Sequence, residues 1–399
     1  MNRRRLLRSG AAFGALFAVP AVRAVSRAED WIGKSKWELE TPALCIDLDK
    51  LERNLTAVHT RLKGTGIGVR PHVKTHKCPA LARMQMKAGA VGVCAAKLSE
   101  AETMLENGVP QVLMTGVNVS RGKILRAMEL RRKHPGFIQA VDNEVMAADL
   151  QDAARALGVV ADVVVDMEVF KRSGVPVGMP ALRLAQQVDK SPNLKFRGIL
   201  AYDGPSQHIK GHAARKVQTL QALAPVVETR EQMVAAGLNL EIFSGAGTGT
   251  YDMMDGVPGF TDVQVGSYLF MDCQYLEIGG AGNDLVYEDF APSLTVLATI
   301  INANHPSETL VTDAGSKALT LNQPPARVIG EPGFEYSARS DEYGMITVGG
   351  ATREYRVGEV LEVIVPHCDP VVNLYDVLFG IRGDKVESVL PILGRGKSQ

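Results

Sequence analysis

The sequence predicts an α/β fold: a (β/α)₈ barrel followed by a β-rich C-terminal domain. Three observations carry this expectation. Eight short apolar runs recur between residues 67 and 270, most of them separated by segments with helical spacing. Eight such units in roughly 200 residues suit a closed barrel better than the alternative, an open doubly wound sheet, and no GxGxxG follows the early runs. After about residue 285 the pattern changes to apolar/polar alternation punctuated by glycine and proline.

The elements follow in order. Residues 1–24 read as an export leader, with Arg3, Arg4, Arg5 and Arg8, an apolar run to Val22 and a small-residue exit at Ala24. The stretch "NRRRLLRSG" resembles a twin-arginine signal, which predicts a periplasmic protein, with a cytoplasmic one as the alternative. The apolar run is too short for a stable membrane span. Residues 38–285 are assigned to the barrel domain. Its opening segment "TPALCIDLDKLERNLTAV" reads as a strand and a helix, and that strand is free to join the C-terminal sheet. The eight barrel runs are "GIGVRPH", "AVGVCA", "QVLMTG", "FIQAVD", "ADVVVDME", "FRGILAYDG", "LEIFSGAG" and "DVQVGSYLF". Helical segments such as "CPALARMQMKAG" and "LSEAETMLENG" lie between them, the latter opening with the capping-box spacing Ser99-x-x-Glu102. Residues 286–399 form the β-domain.

Composition narrows the partners. Lysine plus arginine number 44 and aspartate plus glutamate 44, so formal net charge is zero. No concentrated basic surface is available for nucleic acid. Five widely spaced cysteines without a CxxC argue against a disulfide framework, and most read as small buried hydrophobes.

Barrel chemistry collects on the loops after the strands. The first carries "RPHVKTHK", with His72, Lys74, His76 and Lys77. The fifth brings Asp166, Arg172 and Ser173, and the sixth Tyr202, Gln207 and His208. The seventh is "SGAGTGTY", Ser244 to Tyr251, and the eighth supplies Gly266, Ser267 and, further on, Tyr275. Glycines and hydroxyls in loops seven and eight suit a phosphate nest, although a tight turn needing positive φ uses the same residues. A lysine facing a phosphate site suits a Schiff base. Lys74 lies nearer the strand end than Lys77, and its cationic neighbours and desolvation should lower its pKa. In the second domain "VPHCDP" places His367 and Asp369 at i and i+2, on one side if the segment is a strand. An imidazole and a carboxylate suit Mn²⁺ or Mg²⁺. His367 with Cys368 would instead favour zinc, and a hydrogen-bonded loop histidine needs no metal at all.

Together "TPALCIDLDKLERNL", "RPHVKTHK", "KRSGV", "AYDGPSQH", "SGAGTGTY", "VGSYLFMD" and "PHCDPVVNLYD" resemble the D-threonine aldolase, 3-hydroxy-D-aspartate aldolase and D-serine dehydratase group. These are fold type III pyridoxal-phosphate enzymes of the alanine-racemase fold. The resemblance spans about residues 38–395. It implies that Lys74 carries the pyridoxal 5'-phosphate. Thr248, Gly266, Ser267 and Tyr275 fall where the family binds the cofactor, Ser244 and Gly247 belong to the same loop, and Arg172 and Tyr202 line the ring. His367 and Asp369 match the aldolase metal pair, whereas the dehydratase branch resembles His-x-Cys. One departure is Ala96, where aldolase relatives often carry glutamine.

The implied activity is metal-dependent cleavage of a small D-3-hydroxy-amino acid, such as D-threonine or 3-hydroxy-D-aspartate, to glycine and an aldehyde. His208 is the expected base, and a homodimer is expected by analogy with the fold. The alternatives are a D-serine or D-3-hydroxyaspartate dehydratase, a racemase needing no metal, and a pyridoxal-phosphate carrier without turnover.

Overall fold

The computed structural model describes residues 28–399, and the export leader assigned to residues 1–24 lies outside them. Strand β1 (Ala43–Asp47) precedes eight strands, each falling on one of the apolar runs. They are β2 (Gly68–Val69), β3 (Val93–Ala95), β4 (Val112–Met114), β5 (Phe137–Val141), β6 (Ala161–Asp166), β7 (Leu194–Ala201), β8 (Ile242–Gly245) and β9 (Asp262–Val263). Their order is β2-β9-β8-β7-β6-β5-β4-β3, and every pair is parallel. A parallel bridge between His72 and Cys94, with Cys94 N–H donating to Pro71 O at 2.8 Å, joins the two ends into a barrel.

Cys94, Leu113, Ile138, Ala140, Val164, Leu200 and Ile242 form one buried cluster inside the barrel. Alternate residues such as Val163, Val165 and Ile199 join the larger core under the helices, as the two-residue period of a strand requires. A register shift between β6 and β7 opposes Val163 to Phe196 and Val164 to Gly198. Gly198 has φ +133° and lies so close to Ile242 that a Cβ would meet its backbone, so glycine is required there.

Helix Leu48–Leu62 is capped by the Asp47 side chain, which accepts from Lys50 N–H. It buries Leu48, Leu51, Leu55, Val58 and Leu62 along one stripe. The capping of helix Leu98–Glu106 differs from the Ser99/Glu102 expectation. Glu100 does the work, accepting from Ala96 N–H and Lys97 N–H at 3.0 and 3.2 Å. The helix starts two residues earlier, with Lys97 at the cap position, Ser99 Oγ turns to Gln399 O, and Glu102 pairs with Arg126.

The C-terminal domain holds a nine-stranded sheet that also contains β1. Strands β10 (Leu294–His305), β11 (Thr309–Thr312), β12 (Arg327–Val328), β13 (Phe334–Ser337), β14 (Gly344–Val348), β15 (Val360–Ile364), β16 (Val377–Arg382) and β17 (Lys385–Pro391) complete it. Strand β1 lies antiparallel to β10 and parallel to β16, so the chain visits this sheet before it builds the barrel. Cys273 N–H donates to Val365 O, joining the segment after β9 to the end of β15 at the barrel mouth. All five cysteines are free and buried. Among the described residues no helix is long and apolar enough to cross a membrane.

Candidate active site

The loop after β2 folds into a short turn, Val73–Thr75. His72 caps it: Nδ1 accepts from Lys74 N–H at 3.3 Å. Because a backbone N–H can only donate, Nδ1 is the bare nitrogen. The Nε2 proton then faces Thr115 Oγ1 at 3.3 Å. Burial, followed by the charge of Lys74, pushes the His72 pKa well below its ordinary value, which keeps this tautomer neutral. His76 follows the same logic. Its Nδ1 accepts from Cys78 N–H, its Nε2 donates to Gln85 Oε1, and burial lowers its pKa to about 4. Both histidines therefore hold the loop as neutral brackets.

The two lysines part company. Lys77 adopts φ 51°, is 8% exposed, and pairs with the buried Glu100 at 3.0 Å. Lys74 Nζ instead reaches into the barrel mouth, 3.7 Å from Asp369 Oδ2. The expected lowering of the Lys74 pKa is not what the fold produces. Burial does push it down, but Asp369 and then Tyr202 outweigh burial and the net direction is upward. Asp369 comes from the other domain, so the loop sequence around Lys74 did not announce it.

A cavity of about 310 Å³ opens over the barrel, lined among others by His72, Lys74, Ala96, Asp166, Arg172, Ser173, Tyr202 and Gln264. An adjoining recess of about 100 Å³ shares His72, Lys74, Tyr202 and Gln264 with it. That recess adds His208, Gly247, Thr248, Gly266, Ser267, Tyr275, His367 and Asp369. Arg172 lies with its Cζ 4.9 Å from the Phe170 ring centre and 5.9 Å from that of Tyr202. His208 stands exposed at the lip, its ring 4.7 Å from that of Tyr275. Desolvation at the mouth lowers its pKa, with Asp272 opposing. Burial likewise raises Tyr202 and Tyr275, which stay protonated.

One predicted residue stands apart. Ser244 is fully buried below the mouth, where its hydroxyl donates to Asp262 and accepts from Gln264 Nε2. It does not line the recess. It sits on β8 itself, and only the residues after the strand emerge at the mouth.

The cradle fits a pyridoxal phosphate. A Cβ on Gly247 would lie 2.6 Å from Gln207 Oε1 and 3.0 Å from Tyr202 Oη, and one on Gly266 would run into Thr75 Oγ1. These glycines allow the backbone to be approached closely. The buried Thr75 Oγ1 makes no hydrogen bond of good geometry within the protein, although it lies near enough to Asp369 to favour that carboxylate's charge, so a polar ligand atom can use it.

The His367–Asp369 segment is not a strand. Pro366 follows the end of β15, His367 takes the cap position, and Cys368–Val372 is a helical turn with Pro370 in its first turn. The two side chains still enter the same recess. His367 Nδ1 donates to Asp272 Oδ2 at 2.9 Å, which leaves Nε2 as the ligand nitrogen. Burial works against charge on Asp369, but Lys74 and His367 bring its pKa below the ordinary carboxylate value. Burial opposes charge on His367, but Asp272 and Asp369 outweigh it and raise its pKa, so its Nε2 becomes a ligand only on giving up a proton; with the anionic Asp369 oxygen it then fits a divalent cation that keeps open positions.

Donor atoms of Asp272, His367 and Cys368 also lie within 4.8 Å of one another. Asp272 is poorly suited to be a ligand there. It is fully buried, its Oδ2 also accepts from Cys368 N–H at 2.9 Å, and its Oδ1 accepts from Tyr275 N–H at 3.0 Å. Cys368 Sγ turns to Ser267 Oγ at 3.3 Å, and burial raises its pKa well above the usual thiol value. Asp272 thus orients His367 from behind. Sequence reasoning missed Asp272; its one local signal was the cap it provides to helix Cys273–Leu276. Gln264 at the end of β9 was also missed.

Residues 46–274 match the family described as alanine racemase, N-terminal domain, and residues 293–381 match a serine dehydratase domain. A 3-hydroxy-D-aspartate aldolase of Paracoccus denitrificans is 33% identical over 368 residues, 92% of this chain and 94% of that one. A D-threo-3-hydroxyaspartate dehydratase of Delftia sp. is 30% identical over 80% of this chain and 83% of its own. The crystal structure of a D-threonine aldolase from Filomicrobium marinum superposes with a TM-score of 0.87 at 34% identity, covering 92% of this chain and 99% of that chain.

Proposed function

The chain belongs to the alanine-racemase-fold family of pyridoxal-phosphate-dependent D-threonine aldolases, 3-hydroxy-D-aspartate aldolases and D-serine dehydratase-like lyases, and from that premise we propose that it cleaves a D-3-hydroxy-amino acid to glycine and an aldehyde with the help of a divalent metal. One observation carries this reading. His367 and Asp369 line one recess with Lys74, whereas the buried Cys368 thiol does not line it and is engaged with Ser267 Oγ at 3.3 Å and Asp369 Oδ1 at 3.5 Å. The pair available to a metal is an imidazole and a carboxylate, the arrangement that marks the aldolase branch in the sequence.

Bound pyridoxal phosphate supplies an electron sink for the charge left on Cα, and a divalent ion on His367 and Asp369 supplies Lewis acidity at the β-hydroxyl. The protein's own groups do the rest. Lys74 is the amine that would hold the cofactor. Gly247, Thr248, Gly266 and Ser267 hold the phosphate. Arg172 and Tyr202 bound the ring, and His72 keeps the Lys74 turn fixed. His208, neutral and at the lip, accepts the β-hydroxyl proton as the Cα–Cβ bond breaks. The second domain roofs the cavity with the metal pair, a feature a mere cofactor carrier does not require.

A dehydratase would use the same groups to expel the hydroxyl, so product identity decides between the two. Purified protein is incubated with D-threonine, D-serine and 3-hydroxy-D-aspartate, with Mn²⁺ and with chelator. Aldehyde release that depends on the metal is expected. Ammonia release without aldehyde, or activity indifferent to chelation, overturns the proposal.

A further inference from the structure

Two groups of the recess depend on Asp369. Its Oδ2 lies 3.7 Å from Lys74 Nζ, and beside His367 it is also the carboxylate of the metal pair. Lys74 comes from the turn after β2 and Asp369 from the helical turn after β15, so this contact joins the two domains across the recess. Among the described residues each is the other's single ion-pair partner. The other group at hydrogen-bond distance from the Asp369 carboxylate is the Cys368 thiol at 3.5 Å, which burial keeps protonated and so without charge.

The pair is loose. Lys77 and Glu100 lie 3.0 Å apart with side chains 10% and 2% exposed, whereas the side chains of Lys74 and Asp369 are 42% and 21% exposed. A flexible four-carbon stem lets the ammonium leave such a contact. While it stays, its charge opposes a further cation at the pair, since it disfavours proton uptake by His367 and Asp369 alike. A divalent ion on the same two side chains meets that field with twice the charge.

We propose that Lys74 couples metal binding to cofactor loading: as a free ammonium it competes with the divalent ion for Asp369, and its capture by the cofactor takes that charge off the carboxylate and opens the metal pair. In the capture step the ammonium gives one proton to solvent, Nζ bonds to the aldehyde carbon, and the carbonyl oxygen leaves as water with the other two protons. Resting on the pyridoxal-phosphate and metal readings of the site, this coupling adds an order of assembly, cofactor before metal. By linkage the metal must tighten the cofactor by the same factor as the cofactor tightens the metal.

The test removes the lysine's charge without adding the cofactor. Manganese is titrated calorimetrically at pH 8 into full-length cofactor-stripped wild-type, Lys74→Met and Lys74→Arg proteins, and into wild type loaded with pyridoxal 5'-phosphate. A unit charge about 4 Å away in a partly exposed site is worth roughly a factor of ten. Lys74→Met should therefore bind Mn²⁺ roughly 10-fold tighter than stripped wild type, while Lys74→Arg, which keeps the charge, should bind it no tighter. Loaded wild type should gain at least the Lys74→Met factor, because the phosphate dianion adds to it. Titration of stripped wild type with pyridoxal 5'-phosphate, with and without Mn²⁺, should return the same factor as loading does. A Lys74→Met constant within about 2-fold of stripped wild type overturns the proposal, as does Lys74→Arg tightening as much as Lys74→Met, which would make the effect one of space. Loaded wild type that binds Mn²⁺ no tighter than stripped wild type overturns it too. Wild type that binds pyridoxal 5'-phosphate but no Mn²⁺ in either form would instead overturn the metal reading, and wild type that does not bind pyridoxal 5'-phosphate would overturn the cofactor reading.

Discussion

Asp272→Asn isolates the contribution of the residue behind the metal pair. The carboxylate accepts three hydrogen bonds in a site with no exposure: His367 Nδ1–H and Cys368 N–H on one oxygen, Tyr275 N–H on the other. An asparagine has the same shape, but its NH₂ must face donors on one side or the other. Turned toward Tyr275, it forfeits one bond and leaves a neutral acceptor for His367. Turned toward His367, it forfeits two and removes what fixes the ring. Bonds to a charged acceptor are each worth about 1.5–3 kcal/mol, and about 1.4 kcal/mol is a factor of ten. Removing a partner behind a ligating histidine typically costs about 10–100-fold in metal affinity. The Mn²⁺ dissociation constant of the pyridoxal-phosphate-loaded variant should therefore rise by about that factor in a calorimetric titration, with the cofactor's visible spectrum unchanged. Manganese binding within about 2-fold of wild type would refute the orienting role. Loss of the cofactor spectrum would show that Asp272 acts on the whole site.

Other outcomes follow from the same geometry. Lys74→Ala should abolish the visible absorbance of the bound cofactor, while Lys77→Ala should keep it and lose about 3 kcal/mol of stability by stranding Glu100; the reverse pattern would reassign the lysine. Gly266→Ala drives a methyl into Thr75 Oγ1 beside Lys74. It should cost about 1–3 kcal/mol of stability and release cofactor on dialysis, whereas a variant that retains its cofactor would remove Gly266 from the cradle. Asp166 has its pKa raised to about 7, by burial first, with Asp142 adding to it and the Ser173 hydrogen bond and Arg172 opposing. Its folded pKa lies above its unfolded one, so the fold opposes ionisation and stability falls as pH rises from about 4 to about 7. At about 1.4 kcal/mol per unit the full window is worth about 4 kcal/mol. Asp166→Asn should flatten this slope in urea unfolding at pH 5 and pH 8; parallel wild-type and variant curves would show that Asp166 titrates normally.

The barrel was legible because its information is local. Each of the eight apolar runs carries a strand, since a fully buried parallel strand must be apolar along its length. The loops after those strands were legible for the same reason, and most of the residues singled out there line one pair of connected cavities. What escaped depends on contacts across long stretches of sequence. Asp369 reaches Lys74 from the second domain and reverses the direction of its pKa. Asp272 sits in the plain stretch "MDCQY". His367 and Asp369 were read as sharing one side if their segment were a strand; it is a capped helical turn with Pro370 in its first turn, which still delivers both side chains to the recess.

The most direct measurement is the product balance from 3-hydroxy-D-aspartate in the presence of Mn²⁺. The account predicts glycine and glyoxylate in equal amounts, no ammonia, and no turnover by Lys74→Ala. A 2-oxo acid with one equivalent of ammonia would contradict it and make the protein a dehydratase.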